Sequence, residues 1–587
     1  MTNSLENILK ELDEKCECLN EREIALKIRE NSNCKPDDFK FISETTAFSL
    51  IAQKKDKKSN WDIYYGPLYI TNDENGNPKE YPNLRDINLK MVNYWLARVE
   101  VTKNPIMRSR YADLVWEFCN LVGESKNYKM AQEVIDNNII IIREKLYSDD
   151  FSAKSRLERG LNLALILNSK KRLNIIKELI FELEDSIPDD QGSWGFSFDL
   201  LLDNKYIDLT DRERSKVIND LEERILRLRT SKDPVPWAVE AAAIRLARHY
   251  KKSENFQGIS RVLNELKKEC EKFGDIAAPM QMHSWLEKLH ALFIEYGLKE
   301  EVEEINKEIY KKGLEVHKNL QQVTHSIELP EVELDSFIKK FLTDDIDNDL
   351  RNLSAYFVPK KERVIDQIHK NSISFPLSFL ISKSIIDHNG RKVAEIGSIE
   401  EDLNGHIIQQ ISQNLRIQSF FLNKVIKRLI DHHSLDSEKL LEIIMRSPVF
   451  LEERRELLKK SIEMYFHEDY ISFCHIVIPQ IEFAFRTLLS LCGRSILKPS
   501  RKYNGFQFKV LGDLLSDPII ESVYDTDYKL YFQILLNDSI GLNIRNDICH
   551  GISNTNVFNQ SNANLLLHVL ITLSLLIKQE NATDKKP

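Results

Sequence analysis

Between about residues 96 and 316, apolar side chains recur at i, i+3, i+4 and i+7, the spacing that lines one face of a 3.6-residue helix. The pattern predicts successive amphipathic helices, with clear examples at 111–116, 157–167, 237–250 and 285–296. Two stretches share a layout: AAAIRLARHY (241–250) precedes a polar break and a helix to about Cys270, and LEKLHALFIEY (286–296) precedes Gly297 and a helix to about Lys312. Tyr250 and Tyr296 are 46 residues apart, a period typical of stacked helix pairs. An irregular helical-repeat or solenoid-like body is expected here, acting as a sensor or scaffold.

Three departures from this periodicity divide the chain. Residues 61–86 (WDIYYGPLYITNDENGNPKEYPNLRD) are rich in Tyr, Asn, Gly and Pro and predict a loop or small hairpin on the helical body. The acidic run DDIDND, Asp344 to Asp349, reads as a solvated linker. Beyond it, Asn389-Gly390 between two apolar runs is the strongest hairpin signal in the chain. Helical periodicity returns at about 451–466, 470–491, 528–536, 544–550 and 562–578, before a polar tail. The expected domains are therefore a helical N-terminal body (1–343), a linker and middle segment with a hairpin (344–446), a C-terminal helical bundle (447–580) and a disordered tail (581–587). The longest apolar stretch, 565–577, is interrupted by His568 and is shorter than the roughly 18–20 residues that span a bilayer, so it reads as a buried core helix.

Composition agrees with a mainly α fold. Only 18 Gly and 17 Pro occur in 587 residues, too few for hairpin-dense all-β or Gly/Pro-rich disordered chains. The net charge of −9 predicts that any nucleic-acid contact is local, because the whole molecule mildly repels phosphate. Eight scattered cysteines without paired spacing, and no apolar leader in the first 30 residues, point to a reducing cytoplasm and no membrane contact.

Most candidate chemistry fails on spacing. Neither a GxxxxGK[ST] loop nor a GxGxxG turn occurs, so P-loop hydrolysis and dinucleotide binding are unsupported, and no cofactor is expected. The Asp345, Asp347 and Asp349 series starts like a calcium loop but places Leu350 where Gly is needed and Tyr356 where Glu is needed. Cys16, Cys18 and Cys34 lack a fourth ligand, His432-His433 lies in a polar break, and His283 with His290 has no third ligand. No metal site is expected.

What remains is RNDICHG, Arg545 to Gly551. Guanidinium can hold a phosphate through two hydrogen bonds, and imidazole can take or give a proton near neutrality. Five residues apart on a regular helix, Arg545 and His550 would point about 140° away from each other, so they share a site only if the helix frays or turns at Gly551. Upstream, Glu482 and Arg486 are spaced i, i+4, which suits either a simple helix-stabilising pair or support for that site. Residues 493–510 (GRSILKPSRKYNGFQFKV) carry Arg494, Lys498, Arg501, Lys502 and Lys509 and no acid, interleaved with Tyr503, Phe506 and Phe508. Cations for phosphates and rings for bases suit single-stranded RNA, and an ordinary solvated loop has the same composition.

RNDICHG resembles the RNxxxHG signature of HEPN-like C-terminal domains, within the HEPN superfamily. The resemblance extends to HEDYISFCHIVIPQIEFAFRTLL (467–489), with Asp469, Tyr470, Pro479, Glu482 and Arg486, and to LGDLL (511–515) and LNDSIGLNIRND (536–547), about 130 residues in all. It implies a four- to five-helix bundle that dimerises with its Arg/His motifs facing across a cleft. It also implies RNA cleavage without metal: the 2′-OH attacks phosphorus, leaving a 2′,3′-cyclic phosphate and a 5′-OH. On that resemblance His550 is the acid/base, Arg545 the phosphate clamp and Asn546 the orienting polar residue, with Glu482, Arg486 and Gly551 in support. The implied partners are RNA and a second copy, with a protein or ligand trigger on the N-terminal body, as in a toxin or antiviral defence effector. The alternatives are a non-catalytic HEPN-like dimerisation or RNA-binding module, and a scaffold whose main ligand binds residues 90–320.

Overall fold

The computed structural model describes residues 4–14, 20–31, 35, 37–53, 63–72, 78–188, 194–321, 328–387, 389–500 and 504–577. These residues are mainly helical, and the sheets among them are four small antiparallel pairs. The chain forms two compact units, Met1–Glu308 and Ile309–Pro587.

In the first unit, helices Leu89–Val101, Pro105–Phe118, Tyr128–Arg143, Asp150–Ile166 and Lys170–Ser186 each pack on the next in sequence. Their starts are written locally. Asn104 accepts from the Ile106 amide at 2.9 Å ahead of Pro105, and Asp149 accepts from Ser152 at 2.9 Å. Pro105–Phe118 is buried almost all round, and its Asp113 is matched at 2.5 Å by Arg159. Further on, Asp211–Arg229, Pro236–Lys252, Phe256–Gly274 and Pro279–Tyr296 also pack consecutively, the last ending at Gly297 with φ 74°. In the tyrosine-rich stretch a hairpin pairs Tyr69–Asn72 with Pro78–Tyr81. Trp61 and the turn of that hairpin lie outside the described residues, as do Cys16, Cys18 and Cys34.

The second unit is built on the helix Gln560–Ser574, buried from Ala563 through Ser574. It packs against Ile346–Phe357, Leu403–His432, Ser437–Met445 and Tyr470–Leu491, so one core runs from Ile338 to Leu573. Among the described residues no helix is long and apolar enough to cross a membrane. The 344–446 stretch, expected as linker and middle segment, thus supplies the same core as 447–580.

The acidic run is not a solvated linker. Asp345 caps the helix Ile346–Phe357 through the Asp347 amide at 3.0 Å, and Asp347 meets Arg446 at 3.0 Å. Asp349 is fully buried; it accepts from the Thr343 hydroxyl at 2.7 Å and amide at 2.9 Å and lies 2.8 Å from His433 Nε2. A buried carboxylate is tolerated only when so satisfied. At Asn389-Gly390 the expected hairpin forms, pairing Lys383–Ile386 with Lys392–Ile396. Gly390 has φ 75°, and Asp387 accepts from the amides of Asn389 and Arg391, each at 2.9 Å.

Candidate active site

The helix Tyr470–Leu491 starts where Asp469 accepts from the Ser472 amide at 3.1 Å, bonds that hold the Asp469 carboxyl below its ordinary value. Three turns on, Glu482 and Arg486 share a face, with Arg486 Nη2 donating to Glu482 Oε1 at 2.9 Å. The other oxygen, Oε2, accepts from Arg545 Nη2 at 2.8 Å and Nε at 3.2 Å. One carboxylate thus sits between two guanidiniums, and all three side chains are less than a fifth exposed.

Arg545 lies on the six-residue helix Ile544–Cys549, anchored by buried Ile544 and Ile548. Asn543 enters that helix in the left-handed region at φ 52°, and its Nδ2 donates to Asp547 Oδ1 at 2.8 Å. Asn546 fixes the cluster from below: Nδ2 donates to Asn543 Oδ1 at 2.9 Å and to the Asn537 carbonyl at 3.2 Å, while Oδ1 accepts from Arg545 Nη1 at 2.9 Å. Among the described residues three of the five guanidinium N–H donors of Arg545 are used, leaving one on each terminal nitrogen for an incoming anion. Cys549 follows, its thiol pushed up by burial and by Glu482 against the opposing pull of Arg545.

His550 closes the helix, its amide donating to the Asn546 carbonyl at 2.9 Å, and its ring is exposed. Among the described residues that ring makes no hydrogen bond, so it is available to a ligand. Gly551 at φ 65° turns the chain away, with open space where a Cβ would stand. The helix thus runs regularly through Cys549, and the turn at Gly551 comes after both Arg545 and His550.

The basic stretch folds differently from a free cationic loop. Leu497–Pro499 pairs with Phe506–Phe508, and Arg486 carries this hairpin: its Nη2 donates to the Lys509 carbonyl at 3.3 Å and its guanidinium lies 5.3 Å from the Phe508 ring. Arg494 meets Asp517 at 3.0 Å, Lys509 lies 3.6 Å from the same carboxylate, and Lys498 pairs with Asp513. Lys498 holds the Asp513 carboxyl below its ordinary value. Arg501, Lys502 and Tyr503 lie outside the described residues. Three of the five cations counted there are thus paired with two aspartates just past the stretch. Phe506 and Phe508 stay 76% and 60% exposed. The sequence reading passed over Asn537 and Asn543, although the Asn spacing in LNDSIGLNIRND was the visible signal.

Among the described residues no three His, Cys, Asp or Glu side chains gather as a metal site; His283 has only Glu287, 3.6 Å away. No family model, curated protein or solved structure matches the chain.

Proposed function

We propose that the C-terminal part of the chain is a HEPN-type RNA endonuclease that works without metal, acts as a homodimer and is restrained by the N-terminal body. The observation that carries this reading is the cluster of Arg545, Glu482, Arg486 and Asn546, on the same short motif as an exposed His550 whose ring makes no hydrogen bond among the described residues. An arginine oriented through Nε and Nη2, with a donor left on each terminal nitrogen, is set to hold a non-bridging phosphate oxygen pair. His550 then takes the 2′-OH proton as O2′ bonds to phosphorus, or returns a proton to O5′ as the P–O5′ bond breaks. One copy offers one such imidazole at this motif, and a second copy facing it would divide the acid and base roles.

His550→Ala is expected to lower cleavage of RNA by purified protein by about 10²–10⁴-fold. Arg545→Ala is expected to do the same by removing the phosphate clamp, with products from the unmutated protein ending in 2′,3′-cyclic phosphate even in EDTA. Cleavage undiminished in both variants rejects the assignment. One observation favours the non-catalytic alternative: Glu482 and the aspartates at 513 and 517 already neutralise the cations nearest the motif. An RNA-binding or dimerisation module predicts RNA retention or self-association by the same protein with no cleaved ends.

A further inference from the structure

In the second unit a cleft of about 590 Å³ opens between the end of the 339–341 turn, the helix Ile346–Phe357, the start of Lys361–Ser374 and the long helix Leu403–His432. Its charge is one-sided. Lys340, Lys360 and Arg363 line it, and no carboxylate does. Lys360 reaches Asp527 at 3.3 Å outside the lining, whereas among the described residues Lys340 and Arg363 have no ion-pair partner. The rest of the wall mixes amides and rings with the aliphatic Ala355, Val358, Pro359 and Val364. Asn414 and Gln367 satisfy each other at 2.9 Å, but the Gln418 Oε1 atom is buried with no hydrogen-bond partner, and the Tyr356 ring is 56% exposed.

A buried amide oxygen without a donor costs free energy unless something supplies an N–H. Two unopposed cations, beside a third that Asp527 already pairs, ask for an anion in the same cleft. The volume is that of a small-ligand site, much larger than one phosphate group needs. Bare phosphate would leave Gln418 and Tyr356 unanswered; an uncharged base would leave the cations so.

We propose that this cleft binds an adenine nucleotide, its phosphates on Lys340, Lys360 and Arg363, its exocyclic amine donating to Gln418 and its ring against Tyr356. The assignment is independent of the RNA-cleaving reading and concerns a different set of side chains.

Titration calorimetry on the full chain tests it, with AMP, ADP, ATP, adenosine and tripolyphosphate as probes at low and moderate salt. Affinity is expected to rise from AMP to ATP and weaken with salt, with adenosine at least about tenfold weaker than AMP. Arg363→Glu, an exposed change, is expected to weaken ATP at least about tenfold with an unchanged melting curve. Gln418→Leu is expected to bring ATP down to the affinity of tripolyphosphate. The proposal is overturned by absence of saturable ATP binding at millimolar concentration, by equal ATP binding in the Arg363→Glu protein, or by tripolyphosphate matching ATP in the unmutated chain.

Discussion

Glu482 decides what the two arginines around it can do. With Oε1 on Arg486 and Oε2 on Arg545, it cancels repulsion between two guanidiniums that are each less than a fifth exposed. Glu482→Gln keeps the shape and removes the charge. Such a pair is too sheltered to be worth as little as a surface bridge and too exposed to reach the full penalty of a buried one, so a loss of about 1–3 kcal/mol is expected. It would be read as a lower denaturant midpoint at constant slope. The same substitution releases donors on Arg545, so RNA affinity at low salt should rise severalfold if Arg545 clamps phosphate. Unchanged affinity would place Arg545 outside the RNA contact.

At the level of elements, the last helix holds the most consequential titratable group. His568 is fully buried; Tyr531 O–H donates to its Nδ1 at 2.8 Å, and Nε2–H donates to the Leu353 carbonyl at 3.3 Å, so the neutral ring is satisfied at both nitrogens. Burial lowers its pKa to about 4. Below about pH 6.5 the unfolded chain takes up a proton that the folded chain refuses, so stability is present above that pH and is lost as pH falls toward 4. The loss is roughly 2 kcal/mol at about pH 5. His568→Gln keeps a donor and an acceptor without titrating, and its stability should be nearly flat over that interval.

The sequence showed this helix through its apolar run and showed Tyr470–Leu491 through its period, but it gave His568 only as an interruption. Whether a lone histidine is a buried bond or a surface group depends on Tyr531 and Leu353, 37 and 215 residues away. The same distance problem hid half the candidate site. The i, i+4 pairing of Glu482 with Arg486 was readable from spacing, whereas the Arg545 contact crosses 63 residues. Local turn chemistry was legible at Asn389-Gly390, since a left-handed glycine and an Asx turn need only neighbouring residues. DDIDND misled because acidic composition resembles a linker while Asp345 serves as a helix cap and Asp349 as a buried anchor.

For the whole molecule, the two units make opposite use of buried ionisable groups. Residues 1–308 bury Trp95, Tyr111, Phe118 and Phe196, and residues 309–587 bury Phe473, Phe485, Tyr531 and Phe532, each set a core of domain size. Calorimetry of the full chain should therefore give a calorimetric enthalpy about twice the van't Hoff value. Acidification from about pH 7 to 5 distinguishes the transitions. In the second unit burial lowers both His568 and His406, so both drain stability as pH falls. In the first, burial lowers His249 but raises Glu44 and Glu184, and carboxyls raised by burial regain stability on acidification. Those contributions oppose one another, and the carboxylates held low by partners titrate below the window. The transition of the second unit should fall by roughly 4–8 °C, more than that of the first. His568→Gln should remove most of that fall. A single transition that shifts as one, with or without His568, would mean that the two cores melt as a single cooperative unit.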